Sequence, residues 1–238
     1  MSLIQLAETD STNTWLKQHR VELCHGDAVI ALRQTEGRGR MGHTWLDADG
    51  MLPISVLLRN TPHPETITLA AGAAVCAVLE DITCEPVMIK WPNDIILRGH
   101  KLCGILCESV VNGDGLDVIC GVGVNISQPS EYFEAARIPH GGSLKSLLGI
   151  DTDRNSLAEA LRKHIVIYSA KPFSEIYNEY KAHCITLGKQ VRIIKNGAEQ
   201  IAFADDIAAN GHLICHDESG SFEVNSGEVS VRGLLDYI

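Results

Sequence analysis

The sequence predicts an α+β domain followed by a small β-barrel, and three observations predict it. Strand-length apolar runs and helix-length periodic segments are mixed up to about residue 186. From about Leu187 the chain changes to short strands divided by Asn-Gly and similar turns. No internal repeat, low-complexity tract or flexible linker interrupts either part, and 238 residues with 45% hydrophobic content suit one large or two modest domains. The expected division is 1–186 and 187–238.

Taken in order, Ser11 or Thr12 is expected to cap a short helix through "NTWLKQHR". "AVIALRQ" reads as a buried strand that delivers a glycine-rich loop. "MLPISVLLR" reads as a second strand, with Pro53 tolerable at its start or on an edge. After Pro62 and Pro64, "ETITLAAGAAVCAVLEDI" is helical and rich in small residues that allow close packing on a sheet. "VMIKW" is a short strand stopped by Pro92. Two hairpins follow, one turning at Arg98-Gly99 within "DIILRGHKLCGILCESV", the other at "NGDG" before "LDVICGVGVNIS". "RNSLAEALRKHIVIYS" and "FSEIYNEYKAH" carry helical periodicity.

Bulk properties narrow the function. A formal charge of −10 argues against nucleic-acid binding by a basic surface, so positive charge must act locally. The start "MSLIQLAETD" lacks the basic and apolar regions of a signal peptide. The most apolar segment, "LAAGAAVCAVLEDI", falls short of the ~20 residues that span a bilayer. A cytoplasmic location is expected. Eight cysteines at irregular spacing read as reduced, buried thiols, and Cys103 and Cys107 lack the further soft ligands a metal would need.

The chemistry concentrates in a few stretches. There is no G-x-x-x-x-G-K-[ST], and "GVGVNI" lacks the third glycine of a dinucleotide fingerprint, so it reads first as a tight strand end. "TEGRGRMGHTW" sets Arg38 and Arg40 among glycines that let backbone amides approach an anion, with Trp45 able to close over an apolar group. Alone, it is an anion loop or a solvated turn. "KWPND" gathers Lys90, Asn93 and Asp94 and, alone, also reads as a strand end and turn. Lys101 at a hairpin start, with Gly104 after it, and Asn125 closing "GVGVN" are open in the same way.

Together and in this order, "STNTWL", "RQTEGRGRMGHTW", "IKWPNDIIL", "KLCGILCE", "GVGVNIS", "GGSLKSLLG" with "DRNSLAEAL", and "GEVSVRG" resemble the biotin–protein ligases over nearly the whole chain. The resemblance implies a mixed β-sheet catalytic domain with packed helices, class II synthetase-like, followed by an SH3-like barrel. It implies that biotin, as substrate, attacks ATP with Mg²⁺ to give biotinyl-5′-AMP. A lysine on the biotin carboxyl carrier domain of a biotin-dependent carboxylase then takes the biotinyl group. Ser11, Thr12, Asn13 and Gln34 are implied to hold the biotin head, with Gly37, Gly39 and Gly104 letting the backbone lie against it. Arg38, Arg40 and Lys101 are the implied cations for biotin and phosphate. Trp45, Lys90, Asn93 and Asn125 fall on the nucleotide or Mg²⁺ side, Arg40 contributing there too, and Asp94 is the implied partner of the acceptor lysine.

Relatives often carry further arginine where Met41 and His43 stand here. The loop is expected to order over the intermediate and shield its mixed anhydride from water. The ten residues before Ser11 are too few for a helix-turn-helix domain, so a monofunctional ligase is expected, with no nucleic-acid or membrane partner, as a monomer or homodimer. The competing readings are a lipoate or other acyl ligase and a non-catalytic biotin sensor.

Overall fold

Seven strands form one mixed sheet in the order β1-β2-β3-β7-β6-β5-β4. They are β1 (Leu3–Thr9), β2 (Ala28–Gln34), β3 (Met51–Leu58), β4 (Met88–Lys90), β5 (Asp94–Leu97), β6 (His100–Asn112) and β7 (Gly115–Asn125). The structure, a computed structural model, describes residues 1–46, 48–113, 115–195, 197–226 and 230–233. Among the described strands only β1 and β2 pair in parallel, and helix α1 (Thr12–His19) makes their crossover. Pro53 pairs with Gly123 of β7 just past Ile54, the last β3 residue paired with β2, so the β2 flank of the strand is open at that point.

Side-chain alternation splits the sheet into two faces. Ile30, Leu52, Ile54, Val56 and Val124 join the main core beneath α2 (Ile67–Thr83), α5 (Arg154–Ser169) and α6 (Phe173–His183). Val29, Leu57 and Ile119 form a small separate cluster with Leu16 of α1. Beyond α1 the second face is open, and it carries the site. The Arg98-Gly99 hairpin forms as expected, both residues having positive φ (50° and 79°), which matches a two-residue turn to the twist of its strands.

Among the described residues, one strand and two α-helices escape the sequence reading: β1, α3 (Ser130–Ala135) and α4 (Leu144–Leu148). Five or six residues carry too little periodicity to register, and α4 is defined by a Ser143/Ser146 capping box and a left-handed Gly149. At α1, Ser11 stands at the N-cap without a side-chain bond to the helix, correcting the expected cap; Asp10 Oδ1 accepts the Ser11 N–H instead (2.6 Å).

The C-terminal part is an antiparallel sheet in the order β11-β10-β9-β8-β12, the strand order of an SH3-like barrel. Its strands are β8 (Lys189–Lys195), β9 (Ala198–Ile207), β10 (Leu213–Asp217), β11 (Gly220–Val224) and β12 (Ser230–Gly233). Val191, Ala204, Leu213 and Val231 belong to the same apolar core as the first sheet. Tyr177 Oη and Lys181 Nζ of α6 donate to Asp206 at 2.6 and 2.8 Å, and Trp91 Nε1 donates to the Gly211 carbonyl (3.2 Å). The barrel is therefore packed on its neighbour.

All eight cysteines are free. Cys24 and Cys84 are exposed, against the expectation of burial; Cys84 holds the left-handed C-cap of α2 (φ 54°). Among the described residues, no helix is long and apolar enough to cross a membrane.

Candidate active site

The floor of the site is a strip in which three of four paired positions are glycine. Gly104 of β6 pairs with Gly123 of β7, and Leu106 pairs with Gly121. The Trp45 indole lies on this strip: a Cβ on Gly104 or Gly123 would sit 2.8 or 2.7 Å from its ring carbons. A Cβ on Gly121 would meet Asn13 Oδ1 at 2.2 Å. Trp45 Nε1 is buried with no hydrogen-bond partner among the described residues.

A polar wall rises beside the floor. The Thr12 N–H donates to Gln34 Oε1 (2.8 Å), and the Thr12 hydroxyl lies 3.1 Å from the same oxygen. Ser55 Oγ lies 2.8 Å from Thr12 Oγ1 and 2.6 Å from Asn13 Oδ1. Asn13 Nδ2 donates to the Leu106 carbonyl (3.2 Å) and to Glu108 Oε2 (2.9 Å). Glu108 Oε1 in turn accepts from Arg38 Nη1 (3.3 Å). Helix α1 supplies Thr12 and Asn13, the sheet supplies Gln34, Ser55, Leu106 and Glu108, and Arg38 comes from the loop.

The loop over the floor closes as a small hairpin. Arg38 bridges Thr44, Gly39 N–H donates to the His43 carbonyl (2.7 Å), and Trp45 N–H donates to the Gly37 carbonyl (2.9 Å). Its tip, Met41 and Gly42, has positive φ at both residues (53° and 76°). Arg40 turns inward: Nη1 donates to Asn93 Oδ1 (2.9 Å) and Nη2 to the Ser226 carbonyl. Burial lowers the Arg40 pKa, and the Asp94 carboxylate opposes that shift.

Lys101 reaches the same space through a bulge. Ile95 pairs with Cys103 and Ile96 with Lys101, which leaves Leu102 as an extra residue in β6. Leu102 and Cys103 are both fully buried in the core, while Lys101 and Gly104 on either side line the cleft. Lys101 Nζ lies 2.6 Å from Asp94 Oδ1 and 5.5 Å from the Trp45 ring centroid.

These walls enclose a cleft of about 690 Å³. Of the residues expected at the site, Ser11, Thr12, Asn13, Gln34, Arg38, Gly39, Arg40, Trp45, Lys90, Asn93, Asp94, Lys101 and Gly104 line it. Gly37 and Asn125 do not. A Cβ on Gly37 would lie 2.2 Å from the Trp45 carbonyl, so the glycine permits the loop's own closure. Asn125 braces the site from behind, donating to the Gly142 carbonyl (3.0 Å) and accepting from Gln128 (3.2 Å). Sequence reasoning missed Ser55, Glu108, Gly121 and Gly123, together with Arg192 and Val231, which the barrel contributes to the cleft. The "GVG" of β7 was the available signal for the two glycines. Among the described residues, no group of three or more His, Cys, Asp or Glu could hold a metal ion.

The chain matches the biotin/lipoate A/B protein ligase family over residues 6–125. It is 33% identical to the biotin–[acetyl-CoA-carboxylase] ligase of Mycobacterium tuberculosis, over 94% of this chain and 86% of that protein. It is 29% identical to the bifunctional ligase/repressor BirA of Escherichia coli, over 97% of this chain and 74% of that one. Its fold is similar to that of the biotin protein ligase from Aquifex aeolicus solved with biotin and ATP (TM-score 0.83, 31% identity, 98% and 99% of the two chains). With that model matched over half its length and relatives this similar along nearly all of it, the chain belongs to the biotin/lipoate A/B protein ligase family.

Proposed function

We propose that this chain is an ATP-dependent ligase that activates biotin as biotinyl-5′-AMP and transfers it to a lysine of a biotin carboxyl carrier domain. The observation that carries this is the convergence of Arg38, Arg40 and Lys101 on one cleft whose floor is mostly glycine and whose wall is hydroxyl and amide. Two anions, a carboxylate and a triphosphate, must meet there. Fixed cations in a partly desolvated site offset their repulsion and the charge that develops as pyrophosphate leaves.

In the first step the biotin carboxylate attacks the α-phosphorus of ATP and pyrophosphate departs. Mg²⁺ arrives with ATP as part of that substrate, carried chiefly by phosphate oxygens and water; the donor set around the cleft, with Asp94 its lone carboxylate among the lining residues, fits that better than a dedicated protein cage. Ser11, Thr12, Asn13 and Gln34 form the wall for the biotin head, Gly39 lies in the loop above it, and Gly104 lets the Trp45 indole lie flat beside the ligand. Lys90 and Asn93 face the nucleotide, with Asn93 setting the direction of Arg40. Trp45 packs beside the ligand.

Asp94 has two successive partners in this reading. It holds Lys101 until an anionic ligand draws the ammonium away. It then accepts the proton that the acceptor lysine must lose before its amine attacks the anhydride carbonyl and AMP leaves. The charge of −10 and the free thiols fit a cytoplasmic enzyme whose partner is a carrier protein and not a nucleic acid. We divide the chain at 186/187, where Thr186 Oγ1 accepts from Trp91 N–H (2.9 Å) just before the first barrel strand.

Pyrophosphate exchange with ATP tests this reading. Exchange that requires biotin and ignores lipoate, followed by a biotinyl mass shift on one lysine of a purified carrier domain, is the expected result. Lipoate-dependent exchange assigns the site to the other arm of the family, and biotin binding without exchange makes the chain a sensor.

A further inference from the structure

Strand β3, "MLPISVLL", is buried at every position, and Ser55 is its one polar side chain, with no exposed surface at all. Val56 and Leu57 beside it show that the strand accepts apolar residues on both faces. A hydroxyl buried in such a run costs stability unless it is bonded, so its partners explain its presence. They are Thr12 Oγ1 at 2.8 Å and Asn13 Oδ1 at 2.6 Å, both on the wall of the cleft.

The proton inventory gives this contact a direction. Ser55 has one proton, and Asn13 Oδ1 has none, so Ser55 donates to Asn13. The Thr12 hydroxyl is then left to donate either to Ser55 Oγ or to Gln34 Oε1, which already takes the Thr12 N–H. With Oδ1 turned to Ser55, Asn13 directs both protons of Nδ2 at acceptors, the Leu106 carbonyl and Glu108. Glu108 spends its second oxygen on Arg38. The direction of the Asn13 amide thus follows from one buried hydroxyl.

We infer that Ser55, which does not itself line the cleft, is a positioning residue for recognition of the biotin head group, a role that rests on the ligase reading above. Without its hydroxyl, Asn13 Oδ1 is left buried without a donor. Reversing the amide would face that oxygen at the Leu106 carbonyl and the Glu108 carboxylate. Asn13 therefore swings toward the cleft, where the ureido ring must sit.

The test uses the full-length protein and biotin-dependent pyrophosphate exchange. Ser55→Ala is expected to raise the KM for biotin about tenfold, a buried hydrogen bond's worth, while kcat and the KM for MgATP stay within about twofold. It is also expected to lower the preference for biotin over 2-iminobiotin, which differs only at the ureido carbonyl. Ser55→Thr, which restores the hydroxyl on a residue suited to a strand, should return both values toward wild type. Unchanged biotin KM, an equal loss in both substrates' KM, or an unchanged analogue preference would overturn the inference. Should Ser55→Ala not fold, Ser55→Cys, with similar volume and a weaker donor, is expected to show the same KM split in part; failure of both to fold makes Ser55 structural and sinks the proposal. Absence of biotin-dependent exchange in the wild type overturns the ligase reading itself, and is told apart from these outcomes because it precedes any substitution.

Discussion

Thr12, Asn13, Gln34 and Ser55 are buried and hold one another by hydrogen bonds that leave their directions settled before any ligand arrives. Arg38, Met41 and His43, facing them across the same cleft, lie on a hairpin with little protein around it, and the Arg38–Glu108 pair is half-open to solvent (side chains 53% and 19% exposed). An ion pair exposed to that degree contributes at most about 1 kcal/mol, and an incoming anion readily replaces it. A buried polar network gives its members no such latitude, since a half-satisfied one is worse than none. The wall is built for discrimination and the loop for capture and release. Lys101 complicates the division usefully, because it is a cation mounted on the rigid side, fixed by the bulge in β6 and by Asp94.

Removing that cation is the strongest way to break the comparison. Lys101→Ala is expected to reduce biotin-dependent pyrophosphate exchange by about 10²–10³-fold, in the range for losing one preorganised charge at a reacting centre. Its melting temperature should change little, since the side chain reaches into the cleft. Arg38→Ala, on the loop, should cost less; the reverse order would show that the loop is the principal electrostatic element. Asp94→Asn comes next. It should slow transfer to the carrier domain about 10²-fold while exchange falls by less, because only the second step needs a proton acceptor. Single-turnover transfer from preformed biotinyl-5′-AMP separates the two, and equal losses in both steps would confine Asp94 to holding Lys101.

The residues that were legible in the sequence are those whose chemistry is written in consecutive positions. Arg38 and Arg40 among glycines, Asn93 with Asp94, and Lys101 with Gly104 each announce themselves locally, and the cleft contains all of them. What stayed hidden depends on pairing across the sheet. Ser55 meets Asn13 from 42 residues away and Glu108 meets it from 95, and neither has a neighbour in sequence that hints at the contact. The bulge at Leu102 is likewise invisible, because strict alternation from "HKLCGIL" would put Lys101 on the same face as the buried Cys103. Gly37 and Asn125 show the opposite error of local reading. They stand inside the motifs, but the first lets the loop close on itself and the second braces Gly142 and Gln128.

The floor offers a milder test of the rigid side. Gly123→Ala places a methyl 2.7 Å from the Trp45 indole, above a strand held on both edges. The ring must lift, since the paired backbone cannot give. Expected costs are about 1–3 kcal/mol of stability by urea unfolding, typical of overpacking, and a biotin KM raised several-fold. A biotin KM unchanged in this variant would mean that Trp45 already leaves the floor when ligand binds.

The smallest expected effect probes the loop. Met41 holds φ of 53° at the hairpin tip, where a side chain with Cβ costs roughly 1 kcal/mol and asparagine or glycine costs less. Met41→Asn should therefore favour the ordered hairpin by up to about 1 kcal/mol, which corresponds to at most about fivefold in its population. Limited proteolysis between residues 38 and 43 should slow in the variant, and slow further when biotin and ATP are added. Release of the adenylate from the enzyme should slow by a similar factor, with the biotin KM little changed, because the wall is untouched. If Met41→Asn instead shifts the biotin KM as strongly as it shifts adenylate release, loop and wall are coupled through Arg38 and Glu108, and capture cannot be separated from discrimination in this cleft.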